Sequence, residues 1–120
     1  IWENAILVPV PLEKRKLKSR GYNQAEELAK ELSKVINIPL ITKTLIKIKS
    51  TSSQMKLKKE EREKNIKNAF ITKNREQING KKIFLVDDVY TTGSTMEECA
   101  RVLKDAGARQ VWGIVVAREE

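Results

Sequence analysis

Histidine is absent from this chain of 120 residues, and cysteine occurs once, at Cys99. These absences exclude a disulfide, a zinc cluster and acid–base catalysis by an imidazole within these residues. Cys99 lies among apolar residues at helical spacing, so we interpret it as a core residue and not as a nucleophile. A lone reduced thiol is typical of a cytoplasmic protein, and the cytoplasm is the expected location.

Long apolar runs and aromatic residues are also scarce. No stretch approaches the ~20 apolar residues that a membrane-spanning helix needs, and no signal peptide is recognisable. Aromatic residues make up 5% of the chain, which leaves few side chains on which nucleic-acid bases can stack. The glycine patterns of the P-loop and of the dinucleotide-binding motif are missing, so neither nucleotide site is expected.

The composition that is present fits one folded domain. Apolar residues make up 40% of the chain, which suffices for one hydrophobic core but not for two. We therefore expect a single domain over residues 1–120. The chain opens at Ile1 and not at a methionine, and on that ground we expect the natural protein to extend upstream.

Positive charge is concentrated in two segments of a chain whose formal net charge is +8. Residues 11–22 carry five basic and one acidic side chain, and residues 43–67 carry nine basic and three acidic ones. We expect both segments to be loops. Such a concentration favours a polyanionic ligand: a pyrophosphate, a nucleic acid, or one after the other.

The chain is organised around residues 83–106. Residues 83–86 are all apolar, which is typical of a parallel strand covered by helices on both faces. Two carboxylates, Asp87 and Asp88, follow directly, and a short loop rich in hydroxyl groups comes next. Behind the loop, apolar residues recur at spacings of three and four and predict a helix. They are Met96, Cys99, Ala100, Leu103 and Ala106.

The loop between this strand and this helix has the composition of an anion site. A helix start offers backbone N–H groups without internal partners, and the small hydroxyl residues around Gly93 let the backbone close on a phosphate. Asp87 and Asp88 would repel a phosphate, so they suit sugar hydroxyls, a magnesium ion, or both. Because successive strand residues point to opposite faces, both acids can serve one ligand only if strand geometry ends at about Asp88. The alternative is an ordinary turn with Asp and Thr as turn and cap residues.

The remaining pattern predicts an α/β fold, with an open, mostly parallel, twisted sheet flanked by helices. The first strand would end at the same edge as the strand at residues 83–86, and ligands of open parallel sheets bind at that edge. The further segments are expected as strands at residues 5–10, 40–48 and 69–72, a buried strand at 110–116, helices at 23–36 and 58–65, and a basic loop at 12–24.

The basic loop supplies the cations that a diphosphate at this edge requires. Arg20 is the first choice, because a guanidinium grips phosphate oxygens in bidentate fashion. For any single lysine, a solvated surface position is the alternative. The cations expected to face the crevice are Arg15, Lys16, Lys18 and Arg20.

The sequence VDDVYTTGST at residues 86–95 resembles the signature loop of the type I phosphoribosyltransferases, which bind phosphoribosyl pyrophosphate (PRPP). The resemblance implies an enzyme of nucleotide metabolism, a glycosyltransferase that moves a phosphoribosyl group to a nitrogenous acceptor and releases pyrophosphate. It implies that Asp87 and Asp88 hold the ribose hydroxyls and are catalytic together with Arg20. Mg²⁺ would be carried by PRPP near the two acids, with no direct protein ligand assigned. The loop that would bind PRPP beside them consists of Val89, Tyr90, Thr91, Thr92, Gly93, Ser94 and Thr95.

Flanking segments resemble the ComF (competence protein F) branch of that family. VPVPLEKRKLKSRGYNQA at residues 8–25 is similar to the branch's PVPL…R…RG[FY]NQ stretch. The middle of the chain resembles the branch's T-x-x-Q … R-x-x-N … AF block. Its long polar, basic composition indicates either disorder or a hood loop that closes over the ligand and excludes water. Members often carry an N-terminal zinc ribbon that these residues do not include, so no zinc-dependent role is implied. The hood-loop residues are Thr51, Gln54, Arg62 and Asn65.

Two kinds of function stay open at this point. Thr91 stands where transferases for 6-oxopurines place an aspartate, so that acceptor class is not expected. The alternative to catalysis is a PRPP- or nucleotide-binding module that supports DNA uptake in competence or handles single-stranded DNA, with a strong salt dependence. The partners in view are PRPP, a nitrogenous base or related acceptor, single-stranded DNA, a competence-machinery protein, and a second copy in a homodimer.

Overall fold

The computed structural model describes residues 2–49, 59–88 and 94–116 of the protein. Within these ranges, the helices are too short or too polar to span a bilayer. The strands are β1 (Ala5–Pro9), β2 (Leu45–Lys47), β3 (Phe70–Thr72), β4 (Lys82–Asp87) and β5 (Gln110–Val115). The helices are α1 (Lys14–Arg20), α2 (Gln24–Ile36), α3 (Lys59–Ile66) and α4 (Ser94–Asp105), with a 3-10 turn at Arg75–Gln77.

Three parallel strands form the central sheet in the order β1–β4–β5. The pairing of β1 with β4 ends at Pro9 opposite Val86, and that of β4 with β5 ends at Asp87 opposite Val115. The carboxyl ends of all three strands therefore lie at one edge. This arrangement confirms the predicted open parallel sheet and places the segments after β1 and β4 side by side.

Alternating side chains of the sheet build a core on each face. Ile83 and Leu85 of β4 pack with Cys99 of α4 on one face, while Val86 packs with Ala29 of α2 on the other. Helices thus cover both faces of β4, as its unbroken apolar run predicted. Cys99 is fully buried, which confirms it as a core residue.

The strands β2 and β3 pair with each other in antiparallel fashion and are called the ribbon below. The predicted strand at residues 40–48 was too long. Leu40 forms a single parallel bridge with Leu7 of β1, and the chain bends at residues 43–44 before β2 begins. The two ends of the predicted strand have different partners, which a local apolar pattern does not reveal.

The prediction of a basic loop at residues 12–24 was wrong, because this segment contains the helix α1. Glu13 caps its start, with a side-chain oxygen that accepts from the Lys16 N–H at 2.9 Å. Gly21 ends it in the left-handed region at φ 85°, and its N–H donates to the Leu17 carbonyl at 2.7 Å. No residue of α1 is buried. Its sequence, KRKLKSR, lacks the apolar stripe by which amphipathic helices are recognised. The pattern therefore did not predict a helix here.

The helix α2 begins where the sequence predicted. The Asn23 side chain caps it by accepting from the Ala25 N–H at 3.1 Å, and the same side chain donates to the Val10 carbonyl at 3.1 Å. This second bond ties the helix start to the end of β1. Val35, near its end, is 81% exposed, because the helix packs against β1 and β4 through residues nearer its start.

The prediction of a buried strand at residues 110–116 was also wrong in part. β5 lies at the edge of the described sheet, and Trp112 is 40% exposed. Trp112 and Trp2 flank Phe84, with ring centroids 5.2 and 5.3 Å from that of Phe84. These three side chains, called the aromatic row below, line a groove of about 520 Å³ together with Lys82.

Candidate functional site at the carboxyl edge of the sheet

The edge at which β1 and β4 end is held together by backbone hydrogen bonds. The Val10 N–H donates to the Val86 carbonyl at 2.8 Å, just before the two segments diverge. From there, the segment after β1 continues into α1, and the segment after β4 passes Asp87 and Asp88 toward α4. The predicted cations and the predicted carboxylates therefore start from the same edge.

The two carboxylates stand where the strand ends. β4 stops at Asp87, whose carbonyl accepts from the Val116 N–H at 3.1 Å, and Asp88 lies in a bend. The Asp88 N–H donates to the Asp87 Oδ1 atom at 2.9 Å. Strand geometry thus ends at Asp88, which meets the condition for both acids to serve one ligand. Both side chains are partly exposed.

The loop that follows the acids lies outside the described residues from 89 to 93, and its five predicted positions stay predictions. They are Val89, Tyr90, Thr91, Thr92 and Gly93. Ser94 and Thr95 form the first turn of α4, where Ser94 is buried. Burial raises the pKa of the Cys99 thiol, and the negative charge of Asp87 raises it further. Asp87 therefore lies within electrostatic range of the first half of α4.

Helix α1 divides the four predicted cations between its sides. Lys16 and Arg20 are four residues apart and share one side, whereas Arg15 and Lys18 are three apart and share another. All four side chains are exposed. Helical geometry prevents all four from facing one ligand. Contact of any pair with a ligand stays a prediction.

Sequence reasoning missed Lys47, which reaches this site from the ribbon. The side chain is half-buried, and its Nζ atom lies 5.7 Å from the centre of the Phe70 ring. Burial lowers the pKa of Lys47, and the charge of Lys16 lowers it further, while the charges of Glu13 and Asp87 act in the opposite direction. Lys47, Lys16 and Asp87 are thus brought into one electrostatic neighbourhood. The signal in the sequence was alternation: Lys47 shares a strand face with the buried Leu45.

Two cavities of about 580 and 340 Å³ lie between α1 and the ribbon and are together called the ribbon cleft. The cavities share Lys14, Ile46 and Lys73, and Lys43 adds a further ammonium group to the larger one. Lys47 lines the smaller one. The apolar lining comes from Pro9, Pro11, Leu17, Leu45, Ile48 and Ile71. None of the lysines of the cleft was predicted.

The carboxylates present suit a magnesium ion that arrives with a substrate. Within the described ranges, no group of three or more His, Cys, Asp or Glu side chains is placed to hold a metal. Mg²⁺ is commonly bound through one or two carboxylates together with substrate phosphates. Asp87 and Asp88 would be the carboxylates that hold such an ion beside a diphosphate.

The hood-loop prediction stays largely untested. Thr51 and Gln54 lie outside the described residues. Arg62 and Asn65 lie in α3, and their side chains are outside the described part. The helix itself confirms the turns predicted at residues 58–65.

Comparison with known proteins identifies the protein family to which the chain belongs. Residues 17–119 match the phosphoribosyl transferase domain, and the chain belongs to that family. Competence protein F of Haemophilus influenzae is 38% identical over 114 residues, which cover 92% of this chain and 50% of that protein. DNA utilization protein YhgH of Escherichia coli is 36% identical over 108 residues, covering 88% of this chain and 47% of that protein.

A third relative narrows the assignment to one branch of the family. Competence protein ComFC of Bacillus subtilis is 33% identical over 102 residues, which cover 85% of this chain and 39% of that protein. The chain is accordingly a ComF-type member of the type I phosphoribosyltransferase-like proteins. It spans about half the length of the curated relatives that it matches.

Proposed function

We propose that this protein binds PRPP with Mg²⁺ and transfers its phosphoribosyl group to a nitrogenous acceptor. One observation carries the proposal: the carboxyl edge of the sheet brings the adjacent acids Asp87 and Asp88, the start of α4 and the cationic helix α1 together. Membership of the phosphoribosyl transferase domain family supports it. A cytoplasmic location and a homodimer stay predictions.

The residues divide the substrate between them in this proposal. Asp87 and Asp88 accept hydrogen bonds from the ribose hydroxyls, and the backbone of residues 91–95 surrounds the 5′-phosphate at the start of α4. Arg20 and Lys16, on one side of α1, face the diphosphate. Mg²⁺ bound with PRPP would neutralise part of the diphosphate charge.

The transfer exchanges one bond for another. The bond between C1 of ribose and the pyrophosphate oxygen breaks, and its electron pair leaves with pyrophosphate. The acceptor nitrogen donates its lone pair to C1 and releases a proton. Positive charge develops on the sugar ring during the exchange, so fixed carboxylates and cations act by positioning and electrostatics. Closure of the segment around residues 51–65 would exclude water from the reacting sugar.

Calorimetry with PRPP and Mg²⁺ tests the proposal. Asp88 makes its described hydrogen bond through its backbone, so Asp88→Asn removes a charge without breaking that bond. We expect the variant to bind PRPP roughly 10-fold or more weakly, as for loss of a charged hydrogen-bond acceptor. Glu76→Gln removes an exposed carboxylate from the 3-10 turn and should bind like the parent chain. No binding by the parent would refute the proposal.

A second candidate function is a non-catalytic module for single-stranded DNA. Two observations favour it: the exposed aromatic row beside Lys82, and relatives whose names refer to competence and DNA utilization. Release of pyrophosphate distinguishes the two candidates. Turnover requires Asp87 and Asp88, whereas binding of a single strand would survive their loss and weaken steeply with salt.

A further inference from the structure

The outer edge of β5 carries backbone groups that no strand of the described ranges pairs. β5 ends the central sheet and pairs with β4 alone. The Val116 N–H donates to the Asp87 carbonyl of β4. Because the backbone groups of successive strand residues point to alternate sides, even-numbered residues of β5 face β4 and odd-numbered ones face outward. The outward N–H and C=O groups belong to Val111, Gly113 and Val115.

The sequence of this edge lacks the features that keep edge strands apart. Residues 111–117, VWGIVVA, contain no charge and no proline. The register of β4 with β5 runs from Gln110 to Val115 without a bulge. Soluble proteins commonly protect an edge strand with lysines, prolines or bulges, and an apolar edge without them is a template for a further strand. The described part of the chain supplies no such strand.

A second copy of β5 fits this edge in the antiparallel direction. A two-fold axis at Gly113 places each outward residue opposite an outward residue, so that Val111 of one copy faces the partner's Val115. The two backbones then exchange about six hydrogen bonds. On one sheet face, Trp112 lies opposite the partner's Ile114, and both side chains are at least partly exposed in the single chain. All of these cross-strand pairs are apolar, which favours the pairing.

Charge also favours the antiparallel direction. Arg109 and Lys81 lie at the amino end of β5, where the Arg109 N–H donates to the Lys81 carbonyl at 2.8 Å. The sequence after β5 is net acidic, since residues 117–120 carry one basic and two acidic side chains. Antiparallel pairing directs the amino end of each strand toward the carboxyl end of the other. Opposite charges therefore approach, whereas parallel pairing would bring like charges together.

We propose that β5 is a homodimer interface in which the strands of two copies pair about a two-fold axis at Gly113 and join both sheets into one. The two aromatic rows then lie on the same face of the joined sheet, because opposed residues of an antiparallel pair share a face. The two carboxyl edges lie at opposite ends of it. The inference is therefore independent of the proposed PRPP binding.

Paired cysteines in the full chain test this register. Opposed residues of an antiparallel pair have Cα atoms about 5.5 Å apart, within the range that a disulfide spans. The double variant Val111→Cys, Val115→Cys should form a disulfide-linked dimer in air, seen by non-reducing electrophoresis. Within one chain these positions lie about 13 Å apart and cannot bridge. Val115→Cys alone should give no linked dimer, because that position faces the partner's Val111.

An added charge tests the interface without a cross-link. Val115 is 38% exposed, so Val115→Lys places a charge at the edge and not in the core. We expect it to weaken dimerisation roughly 10-fold or more, because the charge meets an apolar partner strand. Val35→Lys makes the same change at the end of α2, where Val35 is 81% exposed, and should dimerise like the parent. Sedimentation velocity measures the dimer fraction.

Three results would overturn the inference. The first is a parent chain that stays monomeric at the concentrations used for calorimetry. The second is a dimer that Val115→Lys and Val35→Lys leave equally intact. The third is a linked dimer in Val115→Cys alone as abundant as in the double variant, which would indicate another register or random collision. Cysteine is close to valine in size, so the cross-link decides the question even if Val115→Lys fails to fold.

Discussion

Thr44 is fully buried immediately before the ribbon, and its hydroxyl has no hydrogen-bond partner among the described residues. A buried hydroxyl without a partner destabilises the fold, because it has lost its bonds to water. Thr44→Val keeps the shape and removes the hydroxyl. We expect the free energy of unfolding to rise by about 1 kcal/mol, measured by urea denaturation. Thr42→Val at a half-buried position nearby should change it less, and a loss of stability in Thr44→Val would show that the hydroxyl is bound.

Glu98 ties α4 to the turn before β3. Its carboxylate accepts from Arg101 Nε at 2.9 Å and Nη2 at 2.7 Å, and from the Asn68 N–H at 2.9 Å. Hydrogen bonding to Arg101 is the main cause that lowers the pKa of Glu98, and the Asn68 bond lowers it further against the effect of burial. The charged form is therefore the one that the fold stabilises.

The sign of the pH dependence follows from the lowered pKa of Glu98. Its stabilising contribution is present above the ordinary value of 4.5 and is lost as the pH falls through the lowered pKa. Glu98→Gln should reduce the free energy of unfolding by about 2 kcal/mol at pH 7, and this difference should shrink toward pH 3. Urea denaturation across that range measures it. Glu97→Gln changes an exposed neighbour, and an equal loss in that variant would contradict the assignment.

At the scale of elements, α1 depends on its ends because it buries no residue. Gly21 adopts φ 85°, and a Cβ atom there would meet nothing within 4 Å. Only backbone strain therefore opposes a substitution. Gly21→Ala should lower stability by about 1 kcal/mol, whereas Gly21→Asn should lower it less, since Asn tolerates the left-handed region. Calorimetric unfolding of the two variants measures the difference, and equal losses would contradict a role for backbone strain.

The elements that sequence predicted well are those whose own pattern determines them. The apolar run at residues 83–86 and the three-and-four spacing of α4 are properties of single segments, and both elements formed where expected. The misses depend on partners elsewhere in the chain. Segment 40–48 divides its pairing between β1 and β3, and β5 is open because no described strand lies beyond it. Lys47 is half-buried with its Nζ atom over the Phe70 ring.

The candidate site shows the same division. The position of Asp87 and Asp88 at the end of β4 was predictable, because a carboxylate pair after a buried strand is a local motif. The lysines of the ribbon cleft were not, because α1, the ribbon and the segment before β2 meet only in the folded chain. The four predicted cations lie in the helix α1 and not in a loop. A helix places two of them on each side, whereas a loop would have allowed all four to converge on one ligand.

On the scale of the whole molecule, the two candidate functions occupy different surfaces. PRPP is proposed to bind at the carboxyl edge of the sheet. The aromatic row lies on the sheet face, with Phe84 and Trp112 at paired positions of β4 and β5. The small number of aromatic residues in the sequence had suggested that few side chains are present on which bases can stack. The fold nevertheless gathers three of them into one row, with Trp2 59% exposed at its end.

The tryptophans make the second candidate function directly observable. The chain contains two tryptophans, and both belong to the aromatic row. A thymidine oligonucleotide whose bases stack on this row should quench the tryptophan emission. The quenching should be unchanged in Asp88→Asn and weaker in Lys82→Gln. Each phosphate contact should steepen the loss of affinity with salt. PRPP with Mg²⁺ should leave the emission nearly unchanged, because its proposed site lies at the edge and not at the aromatic row. If the oligonucleotide binds without quenching and PRPP displaces it, the basic edge and not the aromatic row is the nucleic-acid surface.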